Sequence, residues 1–223
     1  MRLDNYLVEK EFVDSRNKAQ TIIKEGLISV NSKVIKKASY KVEEGDDISV
    51  EEYKKYVSRA AFKLAEFLEE LNLDIRDKTA LDIGSSTGGF TQVLLEGGVK
   101  EVSAVDVGTD QLHKSLREDE RVHVYESCDI RKFESAKEFD LVVSDVAFIS
   151  LVHILDDVDR LSSADIILLF KPQFEVGRNV KRDKNGVVQD KKAILNAMQK
   201  FEDACVLKEW HLVKKSPSQL TGK

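Results

Sequence analysis

The sequence predicts an α/β fold: a doubly wound, mostly parallel sheet preceded by a small α+β domain. Two patterns lead to this prediction. From residue 58 onward, short apolar runs alternate with amphipathic helical segments, which is typical of a parallel sheet covered by helices. The first fifty residues instead place two helices before several short strands. A polar segment at 51–57 separates the two patterns, so we expect domains at 1–50 and 58–223 with a linker between them.

The small domain carries clear start and stop signals for its elements. Ser15 offers the side-chain oxygen that commonly begins a helix, and Gly26 is the residue type that commonly ends one. Apolar and polar residues then alternate on both sides of Asn31 and Ser32, which predicts a hairpin. The predicted elements are helices at 2–10 and 15–25, a hairpin over 27–37 and a strand at 46–50.

The larger domain begins with a helix and continues with strands. An apolar stripe at helical spacing predicts a helix from Ser58 to about Leu71. The strand-like runs after it are separated by helical segments, so the strands should lie parallel to one another. The predicted strands are 79–84, 101–106, 121–126, 140–145, 164–170 and roughly 205–214.

Charge is unevenly distributed along the 223-residue chain, although its net value is only −5. Residues 1–41 carry nine Lys/Arg against five Asp/Glu, and residues 171–200 carry eight against three. Clustered positive charge matters more for nucleic-acid contact than the total charge does. The two clusters therefore favour a nucleic-acid partner, and ordinary solvated faces are the alternative.

Composition gives little support to membrane or metal-dependent functions. The longest apolar run, 164–170, is too short to cross a bilayer, and the first twenty residues are charged throughout. Cys128 and Cys205 form no motif, and the four histidines lack metal-ligand spacing. We therefore expect a cytoplasmic protein without a membrane segment or a metal site. The sequence leaves the oligomeric state open.

A glycine-rich turn marks the candidate ligand site. The segment LDIGSSTGGF (81–90) follows a predicted strand and opens a predicted helix, and its glycines let the backbone approach a ligand closely. It has neither the G-x-G-x-x-G spacing nor the lysine of phosphate-binding loops. Asp106 and Asp129 follow the next two strands, and a carboxylate there can accept hydrogen bonds from ribose hydroxyls.

In a parallel sheet these features meet beyond the carboxyl ends of the strands, where ligands bind. Their order fits a ligand that combines an adenosine with a cationic group. The alternative is that the glycines only form turns and the acids only cap helices. The predicted ligand-binding residues are Asp82, Gly84, Ser85, Ser86, Thr87, Gly88, Gly89, Phe90, Asp106, Val107, Asp129 and Ile130.

Three charged residues form the candidate catalytic group. Asp145 ends the fourth predicted strand, Lys171 follows the fifth, and Lys63 lies in the helix before the first. A lysine amine accepts a proton only in its neutral form, which burial and a neighbouring cation favour. The group suits proton removal from a weakly acidic hydroxyl such as a ribose 2′-OH, with Lys171 as base, Lys63 as the neighbouring cation and Asp145 orienting the amine. Separate surface charges are the alternative.

The motifs resemble, in order, those of the TlyA-type, hemolysin-like family of rRNA 2′-O-methyltransferases, which is related to the FtsJ class. The segment RLDNYLVEK…SRNKAQTIIKEGLISVNSKV resembles the alpha-L RNA-binding domain shared with pseudouridine synthases and a ribosomal protein. YVSRAAFKL resembles the family's segment with the first catalytic lysine, and LDIGSSTGGFTQVLL its cofactor loop. AVDVGTDQL, DLVVSDVAFISL and FKPQFEVGR follow in the family's order, so the resemblance covers nearly the whole chain.

The resemblance implies a Rossmann-like methyltransferase domain that uses S-adenosylmethionine. It implies ribosomal RNA or ribosomal subunits as partner, and a ribose 2′-hydroxyl, on a cytidine, as methyl acceptor. Which nucleotide and which subunit are modified stays open. The small domain is then the RNA-binding domain, and its expected contacts are Arg16, Lys18, Lys24, Lys33, Lys36 and Lys37.

The resemblance also implies a Lys-Asp-Lys-Glu catalytic tetrad. Its first three members map to Lys63, Asp145 and Lys171. The fourth is expected beyond Lys223, together with a closing strand, so we expect the chain as given to fold and bind cofactor but to catalyse weakly. Ala60-Ala61 stands where the family often has two glycines, a mild change within a helix.

Two other functions stay open from the sequence. One is a non-catalytic module that docks on ribosomal RNA. This alternative is favoured because the fourth member of the tetrad is expected beyond Lys223. The other is a membrane-active hemolysin, which only the family's older name suggests. No segment combines a basic face with the apolar face that insertion into a membrane surface requires.

Overall fold

The structure is a computed structural model that describes residues 1–50, 56–177, 179–184, 186–218 and 220, apart from the side chain of residue 25. The chain divides into two compact units, Met1–Lys55 and Tyr56–Lys223. Most of the predicted linker, residues 51–55, lies outside the described residues. We call the first the N-terminal unit and the second, which holds the candidate catalytic residues Lys63, Asp145 and Lys171, the catalytic unit.

The N-terminal unit packs two helices against a small antiparallel sheet. Ser15 begins the second helix by accepting a hydrogen bond from the backbone N–H of Lys18, and Gly26 ends it in the left-handed conformation. Leu7, Ile22 and their neighbours form a separate core. The elements are α1 (Leu3–Glu9), α2 (Arg16–Glu25), β1 (Ile28–Val30), β2 (Lys33–Val34) and β3 (Ile48–Val50), with strand order β2-β1-β3.

The predicted hairpin is confirmed as the β1–β2 pair. Asn31 and Ser32 both have positive φ, +50° and +65°, which matches the right-handed twist of the strands they join. Asn31 is held further because its side-chain amide donates to Asp46, at 2.7 Å. The turn leaves Lys33 exposed at the start of β2.

The catalytic unit is a five-stranded parallel sheet with helices on both faces, which confirms the predicted fold class. The strand order is β6-β5-β4-β7-β8. Its strands are β4 (Thr79–Ile83), β5 (Glu101–Val105), β6 (Val122–Tyr125), β7 (Phe139–Ser144) and β8 (Ser162–Leu168). Its helices are α3 (Ala60–Leu71), α4 (Gly89–Glu96), α5 (Lys114–Arg117), α6 (Leu155–Leu161), α7 (Pro172–Glu175) and α8 (Lys191–Val206), with 3₁₀ turns at Ile130–Lys132 and Leu151–Ile154.

Alternate residues of each central strand enter different cores, because side chains point to opposite faces of a sheet. Leu141 packs on one face with Leu64 of α3 and Leu94 of α4. Val142 packs on the other face with Val158 of α6. All five side chains are at most 1% exposed. Burial of one such side chain stabilises a fold by roughly 1.5–3 kcal/mol, so both helical layers are firmly held.

The strand order reverses at the centre of the sheet and so locates the ligand crevice. The chain passes from β4 outward to β5 and β6, then returns to β7 on the other side of β4. Ile83 pairs with Val105 on one side and with Ser144 on the other. In open α/β sheets, ligands bind beyond the carboxyl ends of the strands at such a reversal. Here those ends lead into the loops that follow β4, β5, β7 and β8.

The predicted strand at 205–214 is wrong. Asp190 accepts a hydrogen bond from the backbone N–H of Ala193 and begins α8, which continues as a helix to Val206. Residues 207–218 contain no strand, and β8 pairs only with β7 among the described residues. The apolar residues of 205–214 suggested a strand, but a well-capped helix already includes the first two of them. No helix in the described part of the chain is long and apolar enough to span a membrane.

Candidate active site

The turn between β4 and α4 has the tight backbone that its glycines predict. Gly84 and Gly88 have φ of +80° and +92°, in the left-handed region that favours glycine. A Cβ atom on Gly84 would lie 3.1 Å from the Cα of Val146, in the loop after β7. The glycine-rich turn and the loop that follows β7 are therefore direct neighbours. Ser85 is buried within this turn, whereas Ser86 and Thr87 are exposed.

Asp106 ties the loop after β5 to the glycine-rich turn. Its two carboxylate oxygens accept hydrogen bonds from the backbone N–H groups of Ser86, at 2.8 Å, and Gly108, at 2.7 Å. Each oxygen keeps a second lone pair, so the carboxylate can still accept from the hydroxyls of a ribose. Val107 follows with 72% of its surface exposed, an apolar face next to that acceptor.

Asp82 lies beneath the turn and is fully buried. The hydroxyl of Thr91 donates to one carboxylate oxygen at 2.6 Å, and the other oxygen has no hydrogen-bond partner among the described residues. Loss of water on burial raises the pKa of Asp82 to about 7, although the Thr91 hydrogen bond opposes this and the charge of Asp145 adds to it. Asp82 connects β4 to the start of α4.

Three of the predicted ligand-binding residues have clear packing roles. A Cβ atom on Gly89 would lie 2.1 Å from the hydroxyl of Ser58 and 3.0 Å from the backbone nitrogen of Ala61, so glycine allows α3 and α4 to approach closely. The side chains of Phe90 and Ile130 are buried in the two cores. Only their backbone groups remain available to a ligand.

Asp129 also has protein partners. Its carboxylate accepts from the backbone N–H of Arg131 and forms a 2.5 Å ion pair with the Arg131 guanidinium. The Arg131 guanidinium beside it lowers the pKa of Asp129 to about 2. The carboxylate begins the short 3₁₀ turn, as the capping alternative predicts, and a ligand would have to share it with Arg131.

Asp145 and Lys171 are brought together, as the sequence predicts. The Nζ atom of Lys171 lies 2.5 Å from an Asp145 carboxylate oxygen and donates to the Asp145 backbone carbonyl at 3.1 Å. The side chain of Asp145 is only 14% exposed and that of Lys171 only 18%. The backbone N–H of Asp145 donates to Ile83 at the end of β4, which places the pair beside the glycine-rich turn.

Lys63 is the third predicted catalytic residue. It lies in α3 two residues after Ala61, the residue that contacts Gly89 at the start of α4. Its side chain is partly exposed and forms no hydrogen bond or ion pair within the described part of the chain. The helix that carries Lys63 is therefore a neighbour of α4, but no contact among the described residues joins Lys63 to Asp145 or Lys171.

Two aromatic residues at this site were missed from the sequence. Phe148, three residues after Asp145, is 92% exposed and has a φ of +66°. A bulky residue in that region costs on the order of 1–3 kcal/mol and is typical of functional sites. Its ring lies 5.3 Å from that of Phe174, which in turn lies 5.9 Å from Lys171 Nζ. The strained backbone could not be foreseen from residue types.

The basic surface of the N-terminal unit is organised by a buried acid. Asp4 is fully buried, and its carboxylate accepts from Arg2, Arg16 and Gln20. The Arg2 guanidinium is the main cause that lowers the pKa of Asp4 well below its ordinary range. Both arginines remain about half exposed, and Arg2 was missed from the sequence.

The other predicted RNA contacts lie on the same unit. Lys24 is exposed in the last turn of α2, and Lys33 in β2. Lys36 and Lys37 are exposed after β2, and the stem of Lys36 lies beside Gly26. Lys18 is half-buried in the first turn of α2.

Comparison with known proteins identifies the class that this fold and site define. Residues 56–223 match the FtsJ-like methyltransferase family, and residues 1–48 match the S4 domain. The catalytic unit is thus a Rossmann-like methyltransferase, and the chain belongs to the FtsJ-like methyltransferase family.

Individual relatives match over nearly their whole length. The 23S rRNA (cytidine-2′-O)-methyltransferase TlyA of Campylobacter jejuni is 45% identical, with 100% of this chain and 95% of the relative covered. The 16S/23S rRNA (cytidine-2′-O)-methyltransferase TlyA of Mycobacterium tuberculosis is 36% identical, with 99% and 85% covered. A solved structure of a hemolysin-named protein from Streptococcus thermophilus has a TM-score of 0.72 at 32% identity, with 100% of this chain and 83% of that chain covered.

Proposed function

We propose that this protein transfers a methyl group from S-adenosylmethionine to a ribose 2′-hydroxyl of ribosomal RNA, on a cytidine. The observation that carries the proposal is the Asp145–Lys171 pair, held beside the glycine-rich turn at the reversal of strand order. The methyl acceptor is taken from the names of the two TlyA relatives. Methylation of a ribose hydroxyl requires a group that takes up its proton, and the Asp145–Lys171 pair supplies that group.

The residues around the crevice fit S-adenosylmethionine. Asp106 offers carboxylate lone pairs to ribose hydroxyls, and the exposed Val107 offers an apolar face to adenine. The backbone of the turn from Gly84 to Gly88 can approach the remaining part of S-adenosylmethionine closely, next to the negative charge of Asp145. When bound, the cofactor supplies an activated methyl group on a sulfonium ion.

Lys171 and Asp145 then handle the proton of the acceptor hydroxyl. In its neutral form the Lys171 amine would accept the proton of the acceptor 2′-OH, whose oxygen takes up the methyl group that the cofactor supplies. Asp145, through its carboxylate and its backbone carbonyl, fixes the direction of the amine. The remaining lysine, Lys63, is assigned to the phosphate or ribose of the target nucleotide, because its side chain has no partner within the described residues.

The aromatic pair gives the target base a surface on which to stack. Single-stranded RNA is commonly recognised by bases stacked on aromatic side chains. Phe148 presents an almost fully exposed ring close to Phe174, and Phe174 is close to Lys171. A base on Phe148 would hold its nucleotide near the proton acceptor.

The N-terminal unit is proposed to bind the ribosomal RNA. Its S4-domain match and its exposed lysines after β1 fit contacts to phosphates. Asp4 holds Arg2 and Arg16 in fixed directions, so these guanidiniums reach a phosphate with little further loss of side-chain freedom.

The test is direct methyl transfer. The protein is incubated with S-adenosylmethionine that carries a labelled methyl group and with ribosomal subunits, and the labelled nucleotide is mapped. Label on a ribose oxygen of one rRNA cytidine supports the proposal. Tight RNA binding with no label in any subunit would instead favour a non-catalytic RNA-binding module.

A further inference from the structure

Two loops that carry the candidate catalytic residues are joined by three contacts. The first loop, residues 145–150, follows β7, and the second segment, residues 171–175, follows β8 and contains α7. The Asp145–Lys171 ion pair joins their beginnings, and the Phe148–Phe174 ring contact joins their middles. The third contact joins their ends and involves Glu175, a residue with no role in the proposed reaction.

Glu175 uses both oxygens of its carboxylate where the first loop ends and the following 3₁₀ turn begins. One accepts from the Ser150 hydroxyl at 2.5 Å, and the other accepts from the backbone N–H of Leu151 at 2.9 Å. Ser150 in turn caps the 3₁₀ turn at Leu151–Ile154. Leu151 is only 1% exposed and belongs to the core. Glu175 therefore fixes the loop at the point where it enters the core.

The segment between the fixed ends contains the strained residue. At its beginning, the backbone N–H of Asp145 is bound to Ile83 of β4, and at its end Glu175 holds Ser150 and Leu151. Phe148 lies between them with a φ of +66° and an exposed ring. A strained conformation persists only where its surroundings determine it. The two anchors, together with Phe174, provide that constraint.

We propose that Glu175 is a positioning residue that holds the Phe148 ring in register with the Lys171 amine. It lies four residues after Lys171, so the segment that places the proton acceptor also places the anchor of the base-stacking ring. The inference rests on the proposed function. Its specific content is that Glu175 acts through Phe148 and not through cofactor binding or general stability.

The experiment is a double-mutant cycle in the full chain with ribosomal subunits as substrate. Glu175→Ala should lower kcat by up to about 10²-fold, because small misplacement of reacting groups has effects of that size. Phe148→Ala should give a loss of similar kind. The double variant should be no slower than the slower single variant. If Glu175 acts only by positioning Phe148, its loss has no further effect once the Phe148 ring is absent. The affinity for S-adenosylmethionine, measured by calorimetry, should stay within twofold.

Milder variants and a control guard against misfolding. Ser150→Ala removes one of the two contacts and Glu175→Gln keeps one acceptor oxygen, so both should give smaller losses than Glu175→Ala. Glu138→Ala, at an exposed acid of the same unit, should match the wild type. If the wild type is active and Glu175→Ala stays within twofold of it, the inference is wrong. The inference is also wrong if the kcat losses of the two single variants multiply in the double variant and Glu175→Ala lowers the melting temperature. Glu175 would then have only a structural role. A wild type that shows not even weak methyl transfer would instead reject the proposed function.

Discussion

Each unit of the protein contains a fully buried aspartate, and the two are in opposite states. In the N-terminal unit, Asp4 accepts hydrogen bonds from two arginines and a glutamine, and its pKa is lowered. In the catalytic unit, Asp82 has one partner, Thr91, and burial raises its pKa to about 7. The two side chains are equally closed to solvent but differ in state, because Asp4 has two guanidiniums and an amide that compensate for the loss of water, whereas Asp82 has a single hydroxyl donor.

The difference matches the division of function that we propose for the two units. Asp4 organises a charged surface that is complete without any ligand, as suits contact with RNA phosphates. Asp82 lies under the glycine-rich turn with one carboxylate oxygen that no described residue satisfies, as suits a site that is completed by a cofactor. If this division holds, changes in one unit should leave the other unit's binding unaltered.

The largest expected effect separates chemistry from both kinds of binding. Lys171→Ala should lower kcat by about 10²–10⁴-fold, the usual contribution of a positioned acid–base group. Affinities for S-adenosylmethionine and for RNA should change little, because the loss falls on the transition state. Single-turnover methyl transfer and two binding titrations measure this.

Lys171→Arg is the matched control for charge. Arginine keeps the positive charge but does not release its proton near neutral pH. If it restores most of the rate, Lys171 acts only as an electrostatic anchor. The proton acceptor must then be sought elsewhere, with Lys63 as the next candidate.

Charge reversal in the N-terminal unit should affect RNA binding alone. Each phosphate contact contributes about 0.7–0.9 to the slope of log affinity against log salt. Changing Lys33, Lys36 and Lys37 to Glu should therefore lower that slope by at least about two and weaken RNA binding. Cofactor affinity should not change. Reversal of Lys100, Lys132 and Lys137, three exposed lysines of the catalytic unit, serves as control. RNA binding of normal strength in the first variant would contradict the proposed surface.

Asp106→Ala should weaken cofactor binding with the smaller effect of a lost charged hydrogen-bond acceptor, about 1.5–3 kcal/mol. The same carboxylate also holds the backbone of Ser86 and Gly108, so Asp106→Asn, which keeps one acceptor oxygen, should lose less. Calorimetry with S-adenosylmethionine gives both values. Unchanged affinity in the alanine variant would remove Asp106 from the site.

The last prediction distinguishes the two buried aspartates by the pH dependence of stability. The folded pKa of Asp82, about 7, lies above the ordinary value near 3.9. Its contribution to stability is therefore fully present below about pH 4 and is lost as pH rises through 7. Asp4 has the opposite sign: its contribution is present at neutral pH and is lost in acid.

Asp82→Asn removes the ionisation and isolates this contribution. The stability of the wild type minus that of the variant should fall by roughly 1.4 kcal/mol per pH unit between pH 5 and 6. Urea unfolding followed by fluorescence reports the catalytic unit, because the chain's single tryptophan, Trp210, belongs to it. A difference that does not vary with pH would mean that Asp82 keeps an ordinary pKa.

Local signals in the sequence were sufficient for most of the fold. Ser15, Gly26 and the Asn31-Ser32 turn predicted elements whose caps and turns depend on neighbouring residues alone. The five central strands followed from short apolar runs, which require burial on both faces. The strand predicted at 205–214 failed because α8 begins at a cap fifteen residues earlier and continues into it.

The site was less predictable because its features depend on distant residues. The Asp145–Lys171 contact followed from their positions at neighbouring strand ends. In contrast, the packing of Gly89 on Ser58 and the link from Glu175 to Ser150 join separate parts of the chain. A sequence shows such residue types but not which of them meet.

The central claim is that the catalytic unit methylates a ribose oxygen of the RNA that the N-terminal unit binds. The most direct measurement uses two versions of an rRNA fragment around the mapped nucleotide, one all-ribose and one with a single 2′-deoxy substitution at that position. Both receive the protein and S-adenosylmethionine with a labelled methyl group, and RNA binding is measured in parallel. We expect label in the all-ribose RNA, none in the deoxy RNA, and similar binding of both. Equal labelling of the two RNAs would mean that the methyl group is transferred to another atom and would contradict the claim.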